Sequence, residues 1–141
     1  MLNKKLVQTM TLILLVIALI GTGAVVYITK YSGQNSKGPT IDDVLKYSVD
    51  VSEITTNLAS DNYAKMAFKI QTDSKKAKDE LTKRDFQVRN IIIEELSEKK
   101  AKDLQGKAGK LQLQDALKTK INKVMQDGKV VQVYITESLL Q

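Results

Sequence analysis

Residues 6–29, LVQTMTLILLVIALIGTGAVVYIT, contain no charged side chain, and Gln8, Thr9, Thr11 and Thr22 are the polar positions within the run before Thr29 ends it. As a helix this stretch would reach ~36 Å, enough to cross a hydrocarbon core of roughly 30 Å. Lys4 and Lys5 precede it, and Tyr27, Lys30 and Tyr31 close it. Interfacial tyrosines and snorkelling lysines suit the two ends of a span. A cleaved signal peptide is the competing reading, with Gly21-Thr22-Gly23-Ala24 as its small-residue site. Val25, Val26, Tyr27 and Ile28 carry the apolar run straight through that site, which favours an uncleaved anchor.

After residue 40 the pattern changes period. Residues 48–58 alternate loosely through Val49, Val51 and Ile54, and residues 63–72 alternate more clearly through Met66, Phe68 and Ile70. Asp61-Asn62 between them is turn chemistry, so the pair predicts an antiparallel hairpin. Ser74 is a helix N-cap candidate, followed by opposite charges at i,i+4 in Lys75/Asp79, Lys76/Glu80, Asp79/Lys83 and Glu80/Arg84. Leu81, Val88, Ile92 and Leu96 form one helical stripe. Gly106 and Gly109 are expected to break the chain, and Leu113, Leu117, Ile121 and Val124 form a second stripe. Asp127-Gly128 is expected to end that helix, with Gly128 in the left-handed C′ position. The last segment, VVQVYITESLLQ, is apolar on both faces, which predicts a strand inside the sheet or at an interface rather than a solvent edge. The expected fold class is α+β: a single N-terminal transmembrane helix followed by a small β-β-α-α-β domain, with one sheet and helices on one face.

The organisation is thus an N-terminal segment 1–5, an anchor 6–29, a linker 30–40 and a folded domain 41–141. The linker reading rests on YSGQNSKGPT, which holds two Gly, two Ser and the only Pro. Short flanks set the orientation of a span, whereas long domains cross largely regardless of charge. The short basic N-terminus therefore reads as cytoplasmic and the C-terminal domain as outside.

The 141 residues carry 22 Lys and Arg, 16 Asp and Glu, and neither His nor Cys. Disulfides and thiolate metal sites are excluded, and the commonest metal ligand and general base is missing. Lys4, Lys5 and Lys30 supply half of the +6 charge, so the folded domain is a mixed, solvated surface. With seven aromatics and no reader motif, a nucleic-acid partner is not expected.

Ser97-Glu98-Lys99-Lys100 spells S-x-x-K, the nucleophile motif of penicillin-interacting enzymes, but its K-T-G and S-D-N companions do not occur. A cell-envelope hydrolase using Ser97 is the enzymatic alternative. The carboxylate pairs Asp42-Asp43, Asp79-Glu80 and Glu94-Glu95 are adjacent in sequence, whereas acid–base work needs carboxylates facing each other across a cleft. Lys99, Lys100, Lys102, Lys107 and Lys110 form a basic run that suits anionic lipid headgroups, or else a solvated face with Glu98–Lys102 and Lys99–Asp103 pairs. No metal and no cofactor is expected.

Several of these segments, in this order and spacing, resemble the flagellar basal-body-associated FliL family. The resemblance runs from the anchor through Leu58, the Phe68 strand and RDFQVRNIIIEELS at 84–97. It continues through Leu111, Leu117, Ile121-Asn122, Met125 and Gly128 to VYITESLLQ. The family's helix typically reads hydrophobic-Arg-Asp-hydrophobic-hydrophobic, and its ending V-Y-F-T-x-F-V-x-Q. Here Asn90 replaces the Asp beside Arg89, so that Arg needs another acceptor, and Ile135, Ser138 and Leu139 also depart from the pattern. The resemblance implies a non-enzymatic, single-pass membrane protein beside the flagellar motor, touching stator units and influencing rotation, chemotaxis and swarming. It also implies a domain similar to the stomatin/prohibitin (SPFH) fold that assembles into homo-oligomeric rings. The residues it singles out for structural or partner roles are Arg89, Asn90, Tyr134, Leu139, Leu140 and Gln141. A general stomatin-like membrane scaffold without a motor role is the alternative.

Overall fold

The computed structural model describes residues 3–31 and 38–141 and forms two compact units, 1–38 and 39–141. The first unit is helix α1, Lys4–Tyr31. Its apolar side chains are exposed along its length, and among the described residues it is the one helix long and apolar enough to cross a membrane. Its threonines return their hydroxyls to the helix: Thr22 donates to Ala18 O at 2.8 Å and Thr29 to Val25 O at 2.8 Å. That removes two hydroxyls from any need for water inside a bilayer. Most of the expected linker, 32–37, lies outside the described residues.

The second unit runs α2 (Ile41–Lys46), β1 (Ser48–Asn57), β2 (Tyr63–Thr72), α3 (Lys75–Lys83), α4 (Asp85–Ser97), a 3-10 turn (Ala101–Leu104), α5 (Gly106–Asn122) and β3 (Val130–Leu140). It is α+β as expected, with a three-stranded antiparallel sheet in the order β1-β2-β3. Ala64, Met66, Phe68 and Ile70 of β2 alternate onto one face and are buried under α3, α4 and α5. From the helices they meet Leu81, Val88, Ile92, Leu96, Leu113, Leu117 and Ile121, with Leu104 of the 3-10 turn closing the core.

Five details differ from the sequence expectation. Helix α2 is additional: it is too short to show a periodic stripe, but Thr40 and Asp43 form a capping box that fixes its start. The expected single helix through Leu81 and Leu96 is two helices, because Arg84 takes φ −89° and ψ 14° between them. Gly109 is not a breaker but lies inside α5, where a Cβ would sit 3.1 Å from the Asp103 carbonyl carbon and nearer still to its oxygen. Glycine there lets the helix touch the 3-10 turn. Gly128 does adopt positive φ, +76°, but it follows the end of α5 at Asn122 by several residues, and Val124 lies beyond the helix. Finally, β3 is an edge strand of this sheet rather than an internal one, because among the described residues it pairs with β2 alone.

The loose alternation of β1 has a local cause. Val51 faces Phe68 while Ile54 faces Met66, so β1 carries one residue more than β2 across this interval. This bulge turns both Val51 and Ile54 onto the core face despite their odd separation.

Candidate functional site

The sequence-selected residues divide between the two edges of the sheet. Arg89 lies on α4, above β1. Its guanidinium reaches Asp85 Oδ2 at 3.2 Å, one helical turn back, and donates to the Ser52 hydroxyl in the β1 bulge. Those are the acceptors that the Asn at position 90 does not provide. Asn90 turns its amide to Glu94 Oε1 at 3.0 Å on the same helix. Arg89 therefore ties α4 to the bulge, while Asn90 serves the surface of its own helix.

Tyr134, Leu139, Leu140 and Gln141 belong to the other edge. Strand β3 contains irregularities opposite Ala67/Phe68 and Gln71/Thr72, and these decide which side chains face in. Leu140 lies across from Ala64 and packs against the core, whereas Leu139 lies across from Lys65 and is 44% exposed. Tyr134, on the outer face, donates its hydroxyl to Gln71 Oε1 at 3.0 Å. Gln141 exchanges two backbone hydrogen bonds with Tyr63, at 2.7 and 2.9 Å, so pairing reaches the last residue. The structure thus joins Tyr134, Leu139, Leu140 and Gln141 on one strand and leaves Arg89 and Asn90 apart from them.

The entry to β3 is fixed by side chains from distant sequence. The Asn122 amide mimics a strand partner: Val130 N donates to its Oδ1 at 2.7 Å, and its Nδ2 donates to Val130 O at 2.9 Å. Lys129 N donates to Asp73 Oδ1 at 3.2 Å. Glu80 holds the loop before the strand, accepting from Asp127 N at 2.6 Å, Gln126 N at 3.0 Å and Arg84 Nε at 2.7 Å. The Asp127 amide is the main cause holding the Glu80 carboxyl below its usual range; burial pushes the other way, and Arg84 and Gln126 help the amide to outweigh it. Neither Glu80 nor Asn122 carried a sequence signal for this role. Glu80 reads as an i,i+4 helix charge, and Asn122 enters the sequence reading only as one of the positions that carry the family resemblance.

The other candidate chemistry is engaged structurally. The Ser97 hydroxyl donates to Ile93 O at 2.7 Å, the ordinary back-bond of a helical serine. Asp43 is a cap, and Asp79 pairs with Lys75 at 2.7 Å. Lys75 holds the Asp79 carboxyl below its usual range. Of the expected i,i+4 pairs on α3, Lys75–Asp79 and Glu80–Arg84 form. Glu95 is 3% exposed on α4, and it takes Lys99 at 3.2 Å from just past the end of that helix and Lys120 at 2.5 Å from α5. The Lys120 contact is an ion pair by distance without the angular geometry of a hydrogen bond. Burial pushes the Glu95 carboxyl up, but the two ammonium groups outweigh it and the net shift is downward. Lys99 therefore serves Glu95 rather than Asp103, and the Asp103 carboxylate instead caps the 3-10 turn through Lys100 N at 2.9 Å. Among the described residues no cluster of carboxylates could hold a metal ion.

Two comparisons place this arrangement. The family described as "Flagellar basal body-associated protein FliL" matches residues 48–141, from the first residue of β1 to the last residue of the chain. The chain is also 44% identical over 122 residues to the flagellar protein FliL of Bacillus subtilis (strain 168), covering 86% of this chain and 87% of that protein.

Proposed function

The chain belongs to the FliL family of flagellar basal body-associated proteins, and on that premise we propose that it is a non-enzymatic accessory of the flagellar motor. In this reading α1 anchors the chain in the cell membrane with its N-terminus cytoplasmic and residues 39–141 outside. The outer unit supports the stator units, influences rotation, chemotaxis and swarming, and self-assembles as a ring in the manner of stomatin-like domains. The observation that carries the proposal is the family match across the whole folded unit, with an apolar helix of spanning length ahead of it. The polar groups described above support it, since each is occupied in holding helices, caps or the entry to β3.

A chromosomal deletion tests the motor role: swimming speed under viscous load, switching and swarm expansion should change, and unchanged values in all three would sink it. A fluorescent fusion should form foci at flagellar bases, whereas an even membrane distribution would favour a general scaffold. Because the chain lacks Cys, a single Lys102→Cys substitution reports orientation. It should react with a membrane-impermeant maleimide in intact cells stripped of outer layers.

A further inference from the structure

The free edge of β3 is not bare surface. The first turns of α5 overhang it, leaving a groove of about 630 Å³ between Lys107, Lys110, Leu111 and Gln114 on the helix and Ile135 to Ser138 on the strand. One wall is an unpaired strand edge: among the described residues, no other element hydrogen-bonds the backbone of β3 between Tyr134 and Ser138 except β2. The other wall is basic. Lys107 and Lys110 are exposed and form no ion pair among the described residues, unlike Lys99 just past α4 and Lys120 on α5. Leu111, half exposed, and Ile135, partly buried against the core, supply an apolar floor.

We propose that this groove binds an extended acidic segment of another protein, which adds to the sheet as a fourth strand beside β3. An edge strand flanked by a helix gives main-chain pairing for affinity and side-chain pockets for selectivity. The two unpaired ammonium groups select carboxylates on the residues that face α5, with apolar residues resting on Leu111. A second copy of this chain is a poor occupant. Pairing through its own β3 would bring that copy's α5 lysines, Lys107 and Lys110, to the same groove, with one nearby carboxylate, Glu137. Its β1 edge is bulged at Ser52 and Glu53, and Arg89 is fastened over that bulge.

Fluorescence anisotropy on the full chain in lipid nanodiscs provides the test. Three labelled strand-length peptides are compared: alternating Thr and Glu, the same peptide N-methylated at every second amide, and alternating Thr and Lys. The Thr-Glu peptide should bind saturably and weaken with added salt, and the N-methylated and Thr-Lys peptides should bind at least about tenfold more weakly. Lys107→Glu with Lys110→Glu should reduce Thr-Glu binding by on the order of tenfold or more, with an unchanged circular dichroism spectrum. Equal binding of the N-methylated peptide would reduce the groove to an electrostatic surface and overturn strand addition. No saturable binding of the Thr-Glu peptide, or indifference to the double substitution, would overturn the site. So would a disulfide-trapped homodimer through Thr136→Cys that excludes the peptide, because it would make the second copy the occupant.

Discussion

Asn122→Ala removes both hydrogen bonds that start β3, leaving the Val130 N–H and C=O without their side-chain partner. Val130 is 2% exposed, so water does not replace that partner. Its strand neighbour offers the Val130 carbonyl no substitute donor, because Thr72 N is committed to Tyr47 O. A hydrogen bond contributes about 0.5–1.5 kcal/mol, and a buried group left unpaired costs about 1–3 kcal/mol. Two such groups give an expected loss of about 2–6 kcal/mol. For a domain near one hundred residues, each kcal/mol moves the melting midpoint by roughly 4–8 °C, so even the lower end is a fall of roughly 8–16 °C. Urea and thermal unfolding of the 39–141 unit measure this, and hydrogen exchange should show the Val130 amide losing protection first. Asn122→Asp sharpens the test, since a carboxylate can still accept from Val130 N but cannot donate to Val130 O. It should also destabilise. A loss below ~0.5 kcal/mol for Ala, or wild-type stability for Asp, would refute the idea that this amide substitutes for a strand partner.

Acid should loosen the unit. Glu80 and Glu95 both have folded pKa values below their ordinary 4.5. Their contribution is therefore complete above pH 4.5 and is lost as pH falls below it through the folded values. Glu80→Gln combined with Glu95→Gln should flatten that part of the stability–pH curve, and an unchanged acid limb would contradict the assignment. Gly109→Ala should destabilise by roughly 1–3 kcal/mol by overpacking against the Asp103 carbonyl, despite alanine's better helix propensity; a gain in melting temperature would show that the close approach is not needed. Leu140→Ala should cost about 1–2 kcal/mol and Leu139→Ala under ~0.5, because one faces the core and the other solvent; equal losses in urea unfolding would refute the register of β3.

Local patterns in the sequence were enough to determine the apolar helix, the hairpin Ser48–Thr72, the two helical stripes and the terminal strand, because periodicity, turn residues and caps involve neighbours a few positions apart. The helix started by the capping box of Thr40 and Asp43 went unread, because six residues are too few to show a periodic stripe. The family's helix and strand segments could likewise be picked out, but not their arrangement. Only the tertiary structure put Arg89 over one edge of the sheet and Tyr134 to Gln141 on the other. It also gave Glu80 the amides of Gln126 and Asp127, and Asn122 the backbone of Val130. It turned Gly109 from a break into a contact, and through bulges in β3 it decided that Leu140 rather than Leu139 faces the core. Each of these depends on a partner far along the chain or on a one-residue shift in register. A bulge of one residue reverses which face every following side chain takes, and no local pattern records where the partner strand will place it.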